Sequence, residues 1–165
     1  MAELTNLESK LGEVTGLAMA AQAATDKVLK LAEKEQETNL VSALRQMHKE
    51  AAETEQRCTE LADTFDGKKT AILDEARATK SKGAEMMKTY LDSASDTLDG
   101  FEFLTMAEAG EVGHWSVLAA MNRQANHQKV ASLVSWALPI QQRHLSNVME
   151  VSVGLAANED PNQTA

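Results

Sequence analysis

One cysteine, two prolines, eight glycines and 4% aromatic residues make this 165-residue chain poor in everything that cross-links or punctuates a fold. With Cys58 alone no intrachain disulfide can form, which suits a reducing compartment. So few prolines and glycines leave few places where a helix must stop. A β-sandwich would draw on more Val, Ile, Thr and aromatic residues, with turns at short intervals. No apolar run approaches the roughly 20 residues of a membrane span. Met1 to Lys10 carries neither the basic nor the apolar segment of a secretion signal. Basic residues are outnumbered 16 to 25, for a formal net charge of -9. Phosphate backbones are repelled by such a surface, and Asp66, Asp74 and Glu75 interrupt the one lysine cluster at Lys68, Lys69, Lys80 and Lys82. The expectation is a cytoplasmic protein that binds neither nucleic acid nor membrane.

What the chain does hold is helical periodicity. Leu7, Leu11, Val14, Leu17 or Ala18, Ala21, Ala24 or Thr25, Val28 and Leu31 or Ala32 predict a long amphipathic helix over 4–35. The charged stretch 33–39 reads as a turn, with Thr38 or Asn39 as the next cap. Leu40, Leu44, Met47, Ala51, Thr54, Cys58, Leu61 and Phe65 then share one face over 39–66, and Asp66-Gly67 is a stop signal. The stretch 67–92 has a thin stripe weakened by Gly83 and reads as a crossover with one or two shorter helices. Strong periodicity resumes over 93–126 and again over 128–157, where Pro139 is expected to kink or split the helix. Residues 158–165 read as a polar tail. An all-α domain over 1–157, with two long helices, a long connection and two more long helices, has the ferritin-like layout.

Three motifs stand at helical spacing: Arg45-x-x-His48, Glu111-x-x-His114 and Gln141-x-x-His144. Residues three apart on a helix point the same way. The last two pairs fall on the apolar stripes Leu104, Ala107, Glu111, His114, Leu118, Met121 and Val134, Ala137, Gln141, His144, Val148. Four-helix carboxylate proteins aim Glu and Glu-x-x-His groups inward to hold a metal pair. Arg45 and Gln141 stand where carboxylates belong, and the stripe of the first helix has Ala18, Ala21 and Thr25 in place of a ligand. Glu50 is the better carboxylate candidate of the second helix, and Arg45 is an available partner for Glu111. A partial site therefore comprises Glu111, His114 and His144, with His48 or Glu50 as a fourth ligand and Gln141 in support. Iron or manganese suits such mixed oxygen and imidazole donors. A metal-free bundle that works by association, as a homo-oligomer with the dimer favoured or as a scaffold for another protein, is the alternative. Cys58 reads as an inert core thiol, His127 as a solvated histidine, and Trp115 and Trp136 as packing anchors.

At Ala107-Glu-Ala-Gly-Glu-Val-Gly-His-Trp115, and over Lys129 to Ala156, the chain resembles the bacterial YciE/YciF-type ferritin-like proteins. The resemblance rests on His114-Trp115, on Leu133 to Ala156 with its Leu155-Ala156 ending, and on Glu53 to Asp66 with Leu61 and Phe65. It implies a ferritin-like bundle, dimeric, from a family linked to stress responses and metal binding. By the same resemblance the first-helix carboxylate falls near Ala21 and the fourth-helix Glu near Gln141, which argues against ferroxidase chemistry.

Overall fold

The computed structural model describes residues 2–164; Met1 and Ala165, the ends of the expected domain and tail, lie outside the described residues. Those residues form five α-helices and no strand: α1 (Asn6–Lys34), α2 (Thr38–Ala62), α3 (Lys69–Tyr90), α4 (Thr97–Ala125) and α5 (Gln128–Ala156). No helix is long and apolar enough to cross a membrane.

The helix ends follow local chemistry. Thr5 and Glu8 form a reciprocal capping box at the start of α1, and Asp96 and Asp99 form another at α4. That second box moves the start of α4 from the expected 93 to Thr97. Neither Thr38 nor Asn39 caps α2; Glu37 occupies the cap position without a side-chain bond. The α1–α2 turn tightens to three residues, with Gln36 in the left-handed region at φ 62°. Between α2 and α3, Gly67 takes φ 67°, where a side chain would be strained.

The 67–92 connection is one continuous helix of 22 residues, not a broken crossover. Its partner explains this. A Cβ built on Gly12 would lie 2.7 Å from the Ile72 carbonyl oxygen, and one on Gly16 would lie 2.3 Å from that of Ala76. Two bare positions on α1 thus let the backbone of α3 come close enough to bury Ile72, Ala76 and Thr79. Pro139 likewise sits within an unbroken α5. Its ring and the Ser135 carbonyl that loses its donor are both on the exposed side, where water can reach.

Cross-helix contacts give the chain directions. Glu35 accepts from Thr97 N–H at 3.1 Å, while Glu13 meets His114 at the other end, so α1 and α4 are antiparallel. Gln22 with Glu55 and Glu33 with Arg45 make α2 antiparallel to α1; α5 doubles back on α4 after a two-residue turn and so runs opposite to α2, which it meets through Arg143 and Glu50. Gly12, Gly16 and Gly83 place α3 parallel to α1. The core has two apolar halves. One gathers Leu11, Val14, Cys58, Ile72, Trp115 and Leu118; the other gathers Val28, Leu44, Met47, Phe101, Leu104 and Val148. Between them the buried residues turn polar.

Gly16→Ala should lower unfolding stability by about 1–3 kcal/mol, since the carbonyl it meets belongs to rigid backbone. Gly154→Ala, in open space on an exposed turn of α5, should be neutral or stabilising by up to about 1 kcal/mol. Urea denaturation of the two variants checks the contrast; equal stability for both would refute the close-approach account.

Candidate functional site

The polar layer comes from three helices. Glu108 and Glu111 sit one turn apart on α4, 2% and 3% exposed; Gln141 and His144 sit one turn apart on α5, 1% and 3% exposed. Glu50 joins them from α2. A buried charge needs a partner or a proton, and the side chains arrange themselves in a string that supplies both. His144 Nε2 lies 2.5 Å from Glu50 Oε2, and its Nδ1 lies 3.6 Å from Glu108 Oε2. In the orientation that satisfies both carboxylates, the Gln141 amide donates to Glu108 Oε2 at 3.0 Å and to Glu111 Oε2 at 3.2 Å. Arg143 donates to the second oxygen of Glu50 at 2.6 Å, from the more exposed side. The order is Arg143, Glu50, His144, Glu108, Gln141, Glu111.

Each titrating group is shifted by its place in that string. Burial pushes Glu111 well above the ordinary carboxylate range, and the charge of Glu108 pushes it further. Burial opposes the charged form of His144, but the hydrogen bond and charge of Glu108, with those of Glu50, outweigh it and raise the imidazole's proton affinity. Burial also acts upward on Glu50, yet hydrogen bonds from Gln46, His144 and Arg143 hold it below its usual value. The string can therefore carry an imidazolium between two carboxylates, with a protonated Glu111 at its end. Cys58 lies beyond it, fully buried; burial pushes its thiol up to about 12, with Glu111 and Glu55 adding and a hydrogen bond to Thr15 opposing. It is not a nucleophile.

The expected site residues do not all meet. Glu50, Glu111, Gln141 and His144 are brought together. His114 is not: its side chain is 41% exposed and turns toward α1, where Nδ1 lies 3.0 Å from Glu13 and 3.3 Å from Lys10. The Glu111-x-x-His114 pair is thus split between core and surface, because three residues advance a helix by 300° and the core boundary falls between them. His48 is also at the surface, 3.5 Å from Asp26, and Arg45 pairs with Glu33 rather than Glu111. His127 is partly exposed and also has a local role: it accepts from Val130 N–H as the α5 cap and stacks on Phe65 at 4.9 Å. Trp115 is wholly buried, and Trp136 lies under the Arg57 guanidinium at 4.1 Å.

Glu108 was missed by sequence reasoning. The stripe had been drawn through Ala107, but Leu104, Glu108, Glu111, Trp115 and Leu118 are the buried positions, at 4-3-4-3 spacing. That spacing was available; a charged residue on it was not read as inward.

These donors do not fit the paired-metal centre that the resemblance implies. Among the described residues, no three His, Cys, Asp or Glu side chains stand in metal-holding geometry. Both His144 nitrogens face carboxylates, Arg143 competes for Glu50, and α1 offers only Thr15, Ala18, Ala21 and Thr25 at this level. Comparison with protein-family models, curated proteins and solved structures finds no match. Fold and site define an all-helical protein with a self-paired acid–imidazole–amide string at its centre.

The string makes stability depend on pH. Glu111 holds its proton more tightly folded than unfolded, so stability falls as pH rises from the ordinary carboxylate value near 4.5 through its raised folded value. His144 acts in the same direction, its contribution full below 6.5 and lost as pH rises through its raised value. Glu50 acts oppositely, its contribution lost as pH falls through its lowered value. Melting temperature should therefore fall as pH rises above about 5, and less steeply in Glu111→Gln, which has no proton to lose. An unchanged slope in that variant would show that Glu111 does not titrate as described.

Proposed function

We propose that this is a ferritin-like four-helix bundle of α1, α2, α4 and α5, whose centre is closed by its own side chains and which acts by non-covalent association rather than metal redox chemistry. The layout supports the bundle: α2 and α4 run in the same direction, so a connection must travel the bundle's length between them, and α3 is that connection. The observation that carries the functional reading is Gln141. Its amide stands between Glu108 and Glu111, at the place where a bridging cation would neutralise two buried carboxylates. An amide brings hydrogen bonds without charge, and the remaining charge is met by His144 and by protonation of Glu111. A cytoplasmic setting, a homodimer and a role under stress belong to the same proposal.

A second reading has one observation behind it. Turned over, the Gln141 amide would present its oxygen 3.0 Å and 3.2 Å from the two carboxylates. Ligands at right angles around a divalent ion with bonds of about 2.1 Å lie about 3 Å apart. Iron or manganese held by Glu108, Glu111 and Gln141 is that alternative.

Anaerobic titration of metal-stripped protein with Fe(II) and Mn(II) decides between them. The self-paired string predicts no stoichiometric binding and no change in melting temperature. About one ion per chain, stabilising by about 2.7 kcal/mol at a hundredfold excess over Kd and lost in Glu111→Ala, would overturn it in favour of the metal.

A further inference from the structure

Helix α3 lies against α1 but diverges from α4, and the gap leaves a cleft of about 250 Å³. Small residues of α1, among them Ala20, Ala21 and Ala24, form its floor; Met87 of α3 and Phe103 of α4 form its sides. The half-exposed Met86 and Met106 stand at its rim. One buried acidic side chain is among its lining residues, that of Glu111. Lys80 and His114 also line the cleft, but Lys80 is exposed to solvent and His114 is engaged with Glu13 and Lys10.

The charges of the string leave Glu111 as the odd member. Three acidic side chains, Glu50, Glu108 and Glu111, share two basic ones, His144 and Arg143. Both lie at the Glu50 end. Glu111, at the other end, has a neutral amide as its hydrogen-bond partner and also lines the cleft. A cation entering the cleft would meet, at Glu111, the one carboxyl group of the string that no basic side chain among the described residues serves, and would take the place of its proton.

We propose that the cleft between α1, α3 and α4 binds a small molecule with an apolar body and a single amine, the ammonium group pairing with Glu111 and the body lying along the alanine floor. The proposal rests on the metal-free reading insofar as Glu111 must be free to meet the amine. Size follows from volume. A cavity of about 150 Å³ holds benzene, so about 250 Å³ accommodates roughly ten non-hydrogen atoms. A linear alkylamine of that size is a suitable probe.

The test is calorimetric titration of the full chain with n-octylamine, n-octanol and n-octanoate. Octylamine should bind once per chain with Kd below about 1 mM, at least about tenfold more tightly than either neutral or anionic analogue. Glu111→Gln should abolish that preference while octanol binding persists. Gly110→Leu offers an independent block, since Gly110 lines the cleft and a Cβ there meets nothing within 4 Å. It should fold normally by circular dichroism and weaken octylamine at least about tenfold. Octylamine binding that survives both substitutions, absence of binding, or a preference for octanoate would overturn the proposal. Metal titration separates the two readings: stoichiometric iron binding, with octylamine still bound by the metal-stripped chain, would remove the metal-free centre and leave the cleft, whereas no metal and no amine binding would do the reverse.

Discussion

A carboxylate taken out of water must find a cation, a donor or a proton, and two of them one turn apart on α4 impose that demand at the centre of this molecule. Glu108 and Glu111 lie where an apolar stripe would otherwise run unbroken from Phe101 to Leu118. Meeting the demand requires α5 to bring Gln141 and His144 to the same height, and α2 to bring Glu50. A slip of one turn between any of these helices would strand a buried charge. Apolar packing in the two core halves is comparatively tolerant of sliding, because one aliphatic side chain can replace another. The polar layer sets the register of α2, α4 and α5; the apolar halves supply most of the driving force.

The remaining helices are held differently. Helix α1 contributes no charge to the layer, only Thr15 and Thr25, whose hydroxyls bond back to carbonyls of their own helix. It instead works through smallness: its glycines admit α3, and its alanines floor the cleft. Helix α3 is consequently docked by one edge. Its first half buries Ile72, Ala76 and Thr79, while its second half meets α4 only near its end, where Met87 and Tyr90 approach Phe103. The cleft is thus a consequence of α3 being held close to α1 at Gly12, Gly16 and Gly83 with few contacts to α4.

The order and approximate extent of the helices could be read from periodicity, because a 3.6-residue repeat of apolar side chains needs no tertiary information. The inward placement of Gln141 and His144 was legible for the same reason: Val134, Ala137 and Val148 flank them at helical spacing. Boundaries were less accessible. Thr97 starts α4 because Asp96 and Asp99 cap each other, and the crossover stays helical because α1 gives it a surface. Glu108 was invisible for a different reason. Composition treats a glutamate as a surface residue, and only its neighbours on α5 can make it a core one.

By itself, then, the sequence determined an all-helical chain with acidic surface, and a polar break in the stripes of its last two long helices. Tertiary structure decided which members of that break meet. Glu111 and His114 share a motif but not an environment, since one faces α5 and the other faces Glu13. Local spacing sets the angle between two side chains on a helix; what stands opposite each depends on how the helices are rotated against one another, and that follows from burying the whole stripe at once.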